Sequence, residues 1–394
     1  MSDAQVIIGG GLAGAKAAEA LREQGYDGPI VLIAAEQHLP YERPPLSKGY
    51  LAGSDERADA FTFDADWYVS HDVDLRVGVR AERLDRDAHQ VHLDDGSSVA
   101  YRKLLLATGS SSRHLDGAEG ALYLRTIDES EKIADAIGEG RHLVIVGGGW
   151  IGLEVAATAR QAGADVTVIE PQSRPLEKIV GAEIGDVFAD LHRQHGVDLR
   201  LGVGVDAVAP RSVTTDDGDQ IPADAVLVGI GAVPNVELAQ DAGLQVSNGV
   251  DVDAGLRTSD PDVYAVGDIA NHDHPKLGCL RVEHWANAQN QPAVAVANML
   301  GGSQVYDRLP YFFSDQYDLG MEYRGLASNE NDVVVRGDTV AREFLAFWLD
   351  GGVVVAGMNV NIWDQGDAVA DLIASGRAFD VNKLADPNVP LDQV

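Results

Sequence analysis

A chain of 394 residues with 45% hydrophobic content is long enough for two or three packed domains. Its 62 acidic against 30 basic side chains, a net charge of -32, exclude a phosphate-binding nucleic-acid face and oppose adsorption to anionic membranes. The excess charge reads as a solubilising surface. A single cysteine, Cys279, excludes an intramolecular disulfide and a C-x-x-C redox pair, which fits a cytoplasmic protein.

In chain order, Ala4-Gln5-Val6-Ile7-Ile8 reads as a short buried strand. Its early start leaves no room for a targeting segment, and no apolar run reaches the length of a membrane span. Gly9-Gly10-Gly11-Leu12-Ala13-Gly14 follows, then a helical run from Ala15 to Gln24 that Gly25 ends. The apolar strand Ile30-Val31-Leu32-Ile33 closes in Glu36. Leu104-Leu105-Leu106-Ala107-Thr108-Gly109 is a second buried strand ending in a turn. The opening pattern then recurs: strand Leu143-Val144-Ile145-Val146, turn Gly147-Gly148-Gly149-Trp150-Ile151-Gly152, helix Leu153 to Gly163, and strand Val166-Thr167-Val168-Ile169 ending in Glu170. The run from Ala225 to Gly231 resembles the earlier strand end, and Val263-Tyr264-Ala265-Val266 leads into Gly267-Asp268. After Leu309 the texture changes. Val333 to Arg336, Glu343 to Leu349 and Val353 to Asn359 alternate as strands, and Asp367 to Ser375 reads as one helix.

Each glycine-rich turn follows a strand, precedes a helix and has an acidic residue about 20 positions on, the context a dinucleotide fingerprint requires. Gly9 allows the tight turn, Gly11 leaves space for a pyrophosphate, and Gly14 lets the helix pack close to the strand. The helix start at Leu12 and Ala13 faces the anion, and Glu36 accepts from ribose hydroxyls. Gly147, Gly149, Gly152 and Glu170, with Trp150 and Ile151 at the helix start, repeat that logic. Two full copies outweigh the alternative of glycine loops in an ordinary α/β protein. Glu170 repels a 2'-phosphate and so selects NADH, although Arg174 could offset that charge.

The first unit is interrupted, and its sheet resumes only near Gly229 and Asp268. This order resembles the two-dinucleotide-binding flavoproteins. It implies an α/β fold of two nested Rossmann-like dinucleotide-binding domains plus a small C-terminal α+β domain. The FAD-binding domain would take residues 1–108 and 231–308, the NAD-binding domain 109–230, and the C-terminal domain 309–394. The stretch Pro40-Tyr41-Glu42-Arg43-Pro44-Pro45-Leu46-Ser47-Lys48 narrows the resemblance to the oxygenase-coupled ferredoxin and rubredoxin reductases. Thr258 to Asp268, Arg281 to Trp285, Tyr123 to Thr126 and Ser314 to Asp318 agree with that group.

The resemblance implies roles at matching positions. Arg43 and Lys48 would lie along the flavin, Lys48 near N5, and Asp268 behind Gly267 would bond the ribityl chain. Arg125, Trp285, backbone at Ala81, and the Ala107-Thr108-Gly109 turn would help hold FAD. Glu154 would meet the nicotinamide carboxamide and pair with Lys48, and Gly231 would border NAD. Taken alone, Trp285 reads as plain core, Asp268 as a loop aspartate, and Lys48 or Glu154 as a solvated surface group. Two positions depart from the group: Ser is common where His284 stands, and Trp where Phe313 stands. His284 reads first as a structural histidine, with titration near neutral pH as the alternative.

Disulfide reductases of this superfamily carry a cysteine pair after the first βαβ unit. This chain has Arg43, Pro44 and Pro45 there, and Cys279 reads as a small buried residue. Electrons would therefore leave the flavin directly. The expected function is an NADH-dependent ferredoxin reductase, passing electrons through FAD to a 2Fe-2S ferredoxin that supplies an oxygenase or cytochrome P450. NADH oxidase, quinone reductase or rubredoxin reductase activity, and a redox-sensing role of the apoptosis-inducing-factor kind, are the alternatives. No metal, nucleic acid or membrane partner is expected, and the chain would be a monomer or homodimer.

Overall fold

The computed structural model describes residues 3–394. The chain forms two compact units, one comprising the residues up to Arg43 with Glu56–Ser111 and Ala232–Pro310, the other Pro44–Asp55, Ser112–Gly231 and Tyr311–Val394.

The first unit is built on a five-stranded parallel sheet. Its order is Val263–Ala265, Lys103–Leu106, Gln5–Ile8, Ile30–Ala34, Val73–Val77. Val6 lies opposite both Val31 and Leu104, and Val263 opposite Leu104, so a strand from late in the chain completes the interrupted sheet. The central strands are buried at every position, which explains their unbroken apolar runs. Helix Leu12–Glu23 turns an alanine-rich face inward, Ala13, Ala15, Ala17, Ala18 and Ala20 being buried, and packs against helix Trp285–Met299. Small side chains let both backbones come near the sheet.

The second unit holds a four-stranded parallel sheet ordered Asp198–Leu201, Asp165–Glu170, His142–Val146, Ala225–Val228. It also holds an antiparallel sheet ordered Tyr311–Gln316, Leu319–Gly325, Val353–Val360, Glu343–Asp350, Asp332–Asp338. In Glu343–Asp350 every residue between the two ends is buried, where simple alternation would bury one face. Phe344, Ala346 and Trp348 enter one core with Ile184 and Phe188 of helix Glu177–Gln194, while Leu345, Phe347 and Leu349 enter another with Val369 and Leu372 of helix Gly366–Ser375. Both faces of this strand are therefore covered. Strands Tyr311–Gln316 and Leu319–Gly325 carry Ser314, Asp315, Glu322 and Arg324, whose polarity conceals them in the sequence.

Pro44–Asp55 packs within this second unit, whereas the sequence reading carried the first domain unbroken to residue 108. The physical cause is a set of clamps. Ser130 Oγ donates to the Leu46 carbonyl at 2.7 Å, Thr158 Oγ1 to the Ser47 carbonyl at 2.8 Å, and Tyr50 to Glu131 at 2.6 Å. Leu51 joins Ile133 and Val155 in a shared core.

Candidate functional site

The two glycine turns are built alike. A Cβ on Gly9 would stand 2.1 Å from the Ala107 carbonyl oxygen, and one on Gly14 would stand 2.0 Å from that of Gly9. In the second unit a Cβ on Gly147 would meet the Gly229 oxygen at 2.3 Å, and one on Gly152 the Gly147 oxygen at 2.3 Å. The outer glycines are thus required by packing. The middle ones differ: around a Cβ on Gly11 or Gly149 no atom lies within 4 Å. That open space lies at the start of helix Leu12–Glu23 in one unit and of Trp150–Gln161 in the other, where N–H groups have no intrahelical partner. Both cradles fit a pyrophosphate. Leu12 and Ala13 bury their side chains and so offer a ligand only backbone; the half-buried Trp150 ring packs edge-on against Phe188 at 5.3 Å and Phe312 at 5.1 Å, and the Ile151 side chain is exposed.

The acidic residues after each second strand are held differently. The Tyr41 hydroxyl donates to Glu36, Arg43 pairs with Glu36 at 2.8 Å, and Arg43 also donates to the Tyr41 oxygen at 2.8 Å. Arg43 is thereby fixed at the carboxylate expected to receive the ribose. Glu170 accepts the Gly148 N–H at 2.8 Å and the Gln172 N–H at 2.9 Å, one on each oxygen, and each oxygen retains a lone pair for a hydroxyl. Arg174 does not pair with Glu170. Its Nε donates to Asp186 at 2.6 Å, which holds the guanidinium above its ordinary pKa.

Elsewhere in the first unit, Ser110 Oγ donates to Asp268 at 2.9 Å, Gly267 has φ +73° with its N–H on Gln291, and Trp285 Nε1 donates to Glu42 at 2.8 Å. Ala107 is buried, and Gly109, at φ +66°, accepts the Asn235 N–H. Asn235 also exchanges two hydrogen bonds of 2.8 Å with Thr108. Ala81 opens strand Ala81–Asp85 opposite Leu93. In the second unit, the Arg125 N–H is held by Glu129 at the head of helix Ile127–Ala134, and Gly231 accepts the Arg113 N–H.

Lys48 and Glu154 meet in the second unit. Glu154 is 4% exposed, and a charge so buried must be paired. It accepts Lys48 Nζ at 2.7 Å, Ser47 Oγ at 2.5 Å and Ser314 Oγ at 2.7 Å. Lys48 Nζ also lies 5.6 Å from the centre of the Phe313 ring, so Phe313 keeps an aromatic face at this cation.

One expectation is corrected: Cys279 is exposed, on the short strand Gly278–Leu280, and not a buried packing residue. His284 fits the structural reading, because burial pushes its pKa down to about 4 against a smaller upward pull from Asp268. Tyr41, Ser47, Asn235, Ser314, Gln316 and His192 contribute to these sites without having been singled out. The alternation of Ser314 and Gln316 between Phe313 and Asp315 was the available signal for two polar groups facing inward.

The middle and outer glycines separate experimentally. Gly11→Ala is expected to fold with a near-native melting temperature and lose FAD, whereas Gly14→Ala is expected to destabilise the fold by about 1–3 kcal/mol through overpacking. Gly149→Ala should retain FAD and lose NAD(H) affinity. Flavin absorbance per chain and calorimetric titration report each, and full FAD retention in Gly11→Ala refutes the pyrophosphate assignment. For His284, the folded pKa lies below the ordinary 6.5, so its contribution to stability is complete above that value and is lost as pH falls from 6.5 toward 4. The loss approaches about 1.4 kcal/mol per pH unit. His284→Gln should flatten the urea-unfolding stability curve in that window, and an unaltered slope would contradict the assignment.

Residues 4–292 match the family described as pyridine nucleotide-disulphide oxidoreductase, and residues 311–394 match a reductase C-terminal domain. The anthranilate 1,2-dioxygenase system ferredoxin–NAD(+) reductase component of Burkholderia cepacia is 44% identical over 99% of this chain and 98% of its own length. Putidaredoxin reductase of Pseudomonas putida is 36% identical over 100% of this chain and 97% of its own length. The crystal structure of the covalent putidaredoxin reductase–putidaredoxin complex superposes with a TM-score of 0.94 at 36% identity, covering 99% of this chain and 97% of that one. The two open glycine cradles and these full-length likenesses agree: the chain belongs to the pyridine nucleotide-disulphide oxidoreductase family.

Proposed function

We propose that this protein is an NADH-dependent ferredoxin reductase, passing electrons from NADH through FAD to a 2Fe-2S ferredoxin that serves an oxygenase or cytochrome P450. The observation that carries the reading is a pair of dinucleotide cradles on a chain whose one cysteine is exposed and has no cysteine to pair with. Relatives matching nearly the whole length are ferredoxin–NAD(+) reductase components, which supports the same acceptor.

FAD held in the first cradle would supply hydride acceptance from NADH and stepwise electron release. The residues of the chain supply binding, orientation and charge. Gly11 and Gly149 admit the pyrophosphates to helix N-termini, and Glu36 and Glu170 accept from the adenosine riboses. Arg43 balances Glu36 at the ribose end and also feels the charge of Asp268. Asp268, oriented by Ser110, and Trp285, oriented by Glu42, are assigned to FAD together with Ala81, Arg125 and the Ala107-Thr108-Gly109 turn. Glu154 receives the nicotinamide carboxamide. Lys48 sets a fixed cation against the negative charge that develops on reduction. No described helix is long and apolar enough to cross a membrane, and we place the protein in the cytoplasm.

NADH is expected to reduce the bound FAD rapidly, with cytochrome c reduced only when a 2Fe-2S ferredoxin from the same organism is added. NADH turnover on oxygen at a comparable rate without ferredoxin would instead establish an oxidase. With Arg174 engaged by Asp186, Glu170 acts unopposed at the ribose. Glu170→Arg should therefore raise the kcat/KM ratio of NADPH to NADH by about tenfold or more, and an unchanged ratio would remove Glu170 from the ribose site.

A further inference from the structure

Strand Tyr311–Gln316 puts Phe312, Ser314 and Gln316 on one face and Phe313 and Asp315 on the other. The first face lies along helix Trp150–Gln161. Phe312 meets Trp150, and two residues later Ser314 meets Glu154, one helical turn from Trp150. Gln316 stands two residues further. Its Nε2 donates to Ser314 Oγ at 3.1 Å, and its Oε1 faces His192 Nε2 at 2.9 Å. His192 comes from helix Glu177–Gln194. Ser314, Gln316 and His192 are each at most 1% exposed.

The donors in this string point one way. Glu154 accepts an ammonium and two hydroxyls, which is the pattern of a carboxylate. Ser314 spends its single proton on Glu154, so its oxygen accepts from the Gln316 amide. The Gln316 oxygen then requires an N–H from His192, which sets the Nε2–H tautomer. Burial keeps His192 neutral, its pKa pushed down to about 4, so it has one N–H to give. The other ring nitrogen, Nδ1, is buried without a partner. An apolar residue at 192 would avoid that unsatisfied nitrogen, and the cost is consistent with the ring being kept for its one hydrogen bond.

We propose that His192 and Gln316, acting through Ser314, are positioning residues that aim the Glu154 carboxylate at the nicotinamide carboxamide of NAD(H). This rests on the reading of Glu154 as the nicotinamide contact. Lys48 and Ser47 both bind Oε2, while Ser314 alone binds Oε1. Without the string, the Ser314 hydroxyl is free to turn away, and Oε1 loses its donor, leaving the carboxylate held only through Oε2. Glu170 and Gly149, which serve the adenosine and pyrophosphate end, take no part in the string.

The test compares two ligands on the FAD-loaded enzyme by calorimetry: NAD+, which carries the nicotinamide, and ADP-ribose, which lacks it. Gln316→Met is expected to weaken NAD+ about fivefold, the worth of about one hydrogen bond, and leave ADP-ribose binding unchanged. Ser314→Ala should do the same, and Ser314→Thr, which restores a hydroxyl, should recover NAD+ affinity. Glu154→Gln serves as the reference and should discriminate between the ligands in the same sense. If Glu154→Gln discriminates but Gln316→Met and Ser314→Ala weaken both ligands equally, or neither, the positioning role is overturned and the reading of Glu154 stands. If Glu154→Gln itself affects both ligands alike, the reading of Glu154 falls and takes the positioning role with it. Should Gln316→Met fail to fold, the Ser314 pair decides the question alone.

Discussion

Two backbone contacts govern what this chain can bind. A helix glycine touches a strand-end carbonyl in each nucleotide unit, Gly14 on Gly9 and Gly152 on Gly147, at distances that leave no room for one methyl group. Each contact fixes where its helix begins. The start of the helix sets where unpaired N–H groups point, and the middle glycine keeps the space before them open. The copies diverge at the acidic end. Glu170 is tied to its own turn through the Gly148 N–H, so the turn positions this carboxylate directly. Glu36 is instead held by Tyr41 and Arg43, residues of the distinctive 40–48 stretch. One scaffold thus carries a carboxylate governed by the fingerprint alone and another governed by a segment outside it.

The second constraint is electrostatic. A carboxylate as buried as Glu154 is tolerated only if its lone pairs are met, and partly meeting them would be worse than having no charge there. The donors come from places far apart in the chain: Ser47 and Lys48 before the helix, Ser314 well beyond it. Satisfying one side chain therefore draws together the 44–55 segment, helix Trp150–Gln161 and the first strand of the antiparallel sheet. That sheet is stiffened by Glu343–Asp350, buried on both faces. The paired strands join Ser314 to that strand, Ser314 facing Met321, Met321 facing Val360 and Val360 facing Phe344.

What the sequence made legible was local. The glycine spacing, the apolar strands and the acids at their ends recur within short windows and follow from backbone geometry alone. The return of the interrupted sheet before Asp268 was readable, in strand Val263–Ala265, but its expected return near Gly229 was not: Ala225–Val228 pairs with His142–Val146 in the second unit's sheet. Tertiary pairing was not readable. His192 carries no local sign that it will face Gln316, and Asn235 none that it will grip Thr108. Cys279 was misplaced because cysteine is usually buried, whereas here it sits on an exposed hairpin strand. The structural reading of His284 holds, and burial is its physical cause. Arg174 looked like a rival to Glu170 until Asp186, on the following helix, was seen to hold it.

The segment from Pro44 to Lys48 shows what replaces the missing redox cysteines. In the disulfide reductases that this chain resembles, the corresponding stretch carries a thiol pair that takes electrons covalently. Here it is a short 3-10 turn, Pro44–Ser47, ending at a lysine. Two prolines fix φ at its start, and the Leu46 and Ser47 carbonyls are clamped by Ser130 and Thr158. Lys48 pays little ordering entropy on reaching Glu154, because its backbone is already immobilised. A fixed cation cannot accept electrons, but it can stabilise negative charge without moving, and preorganisation makes such a charge effective. Where those enzymes carry a thiol pair, this chain holds an immobilised cation against a buried carboxylate.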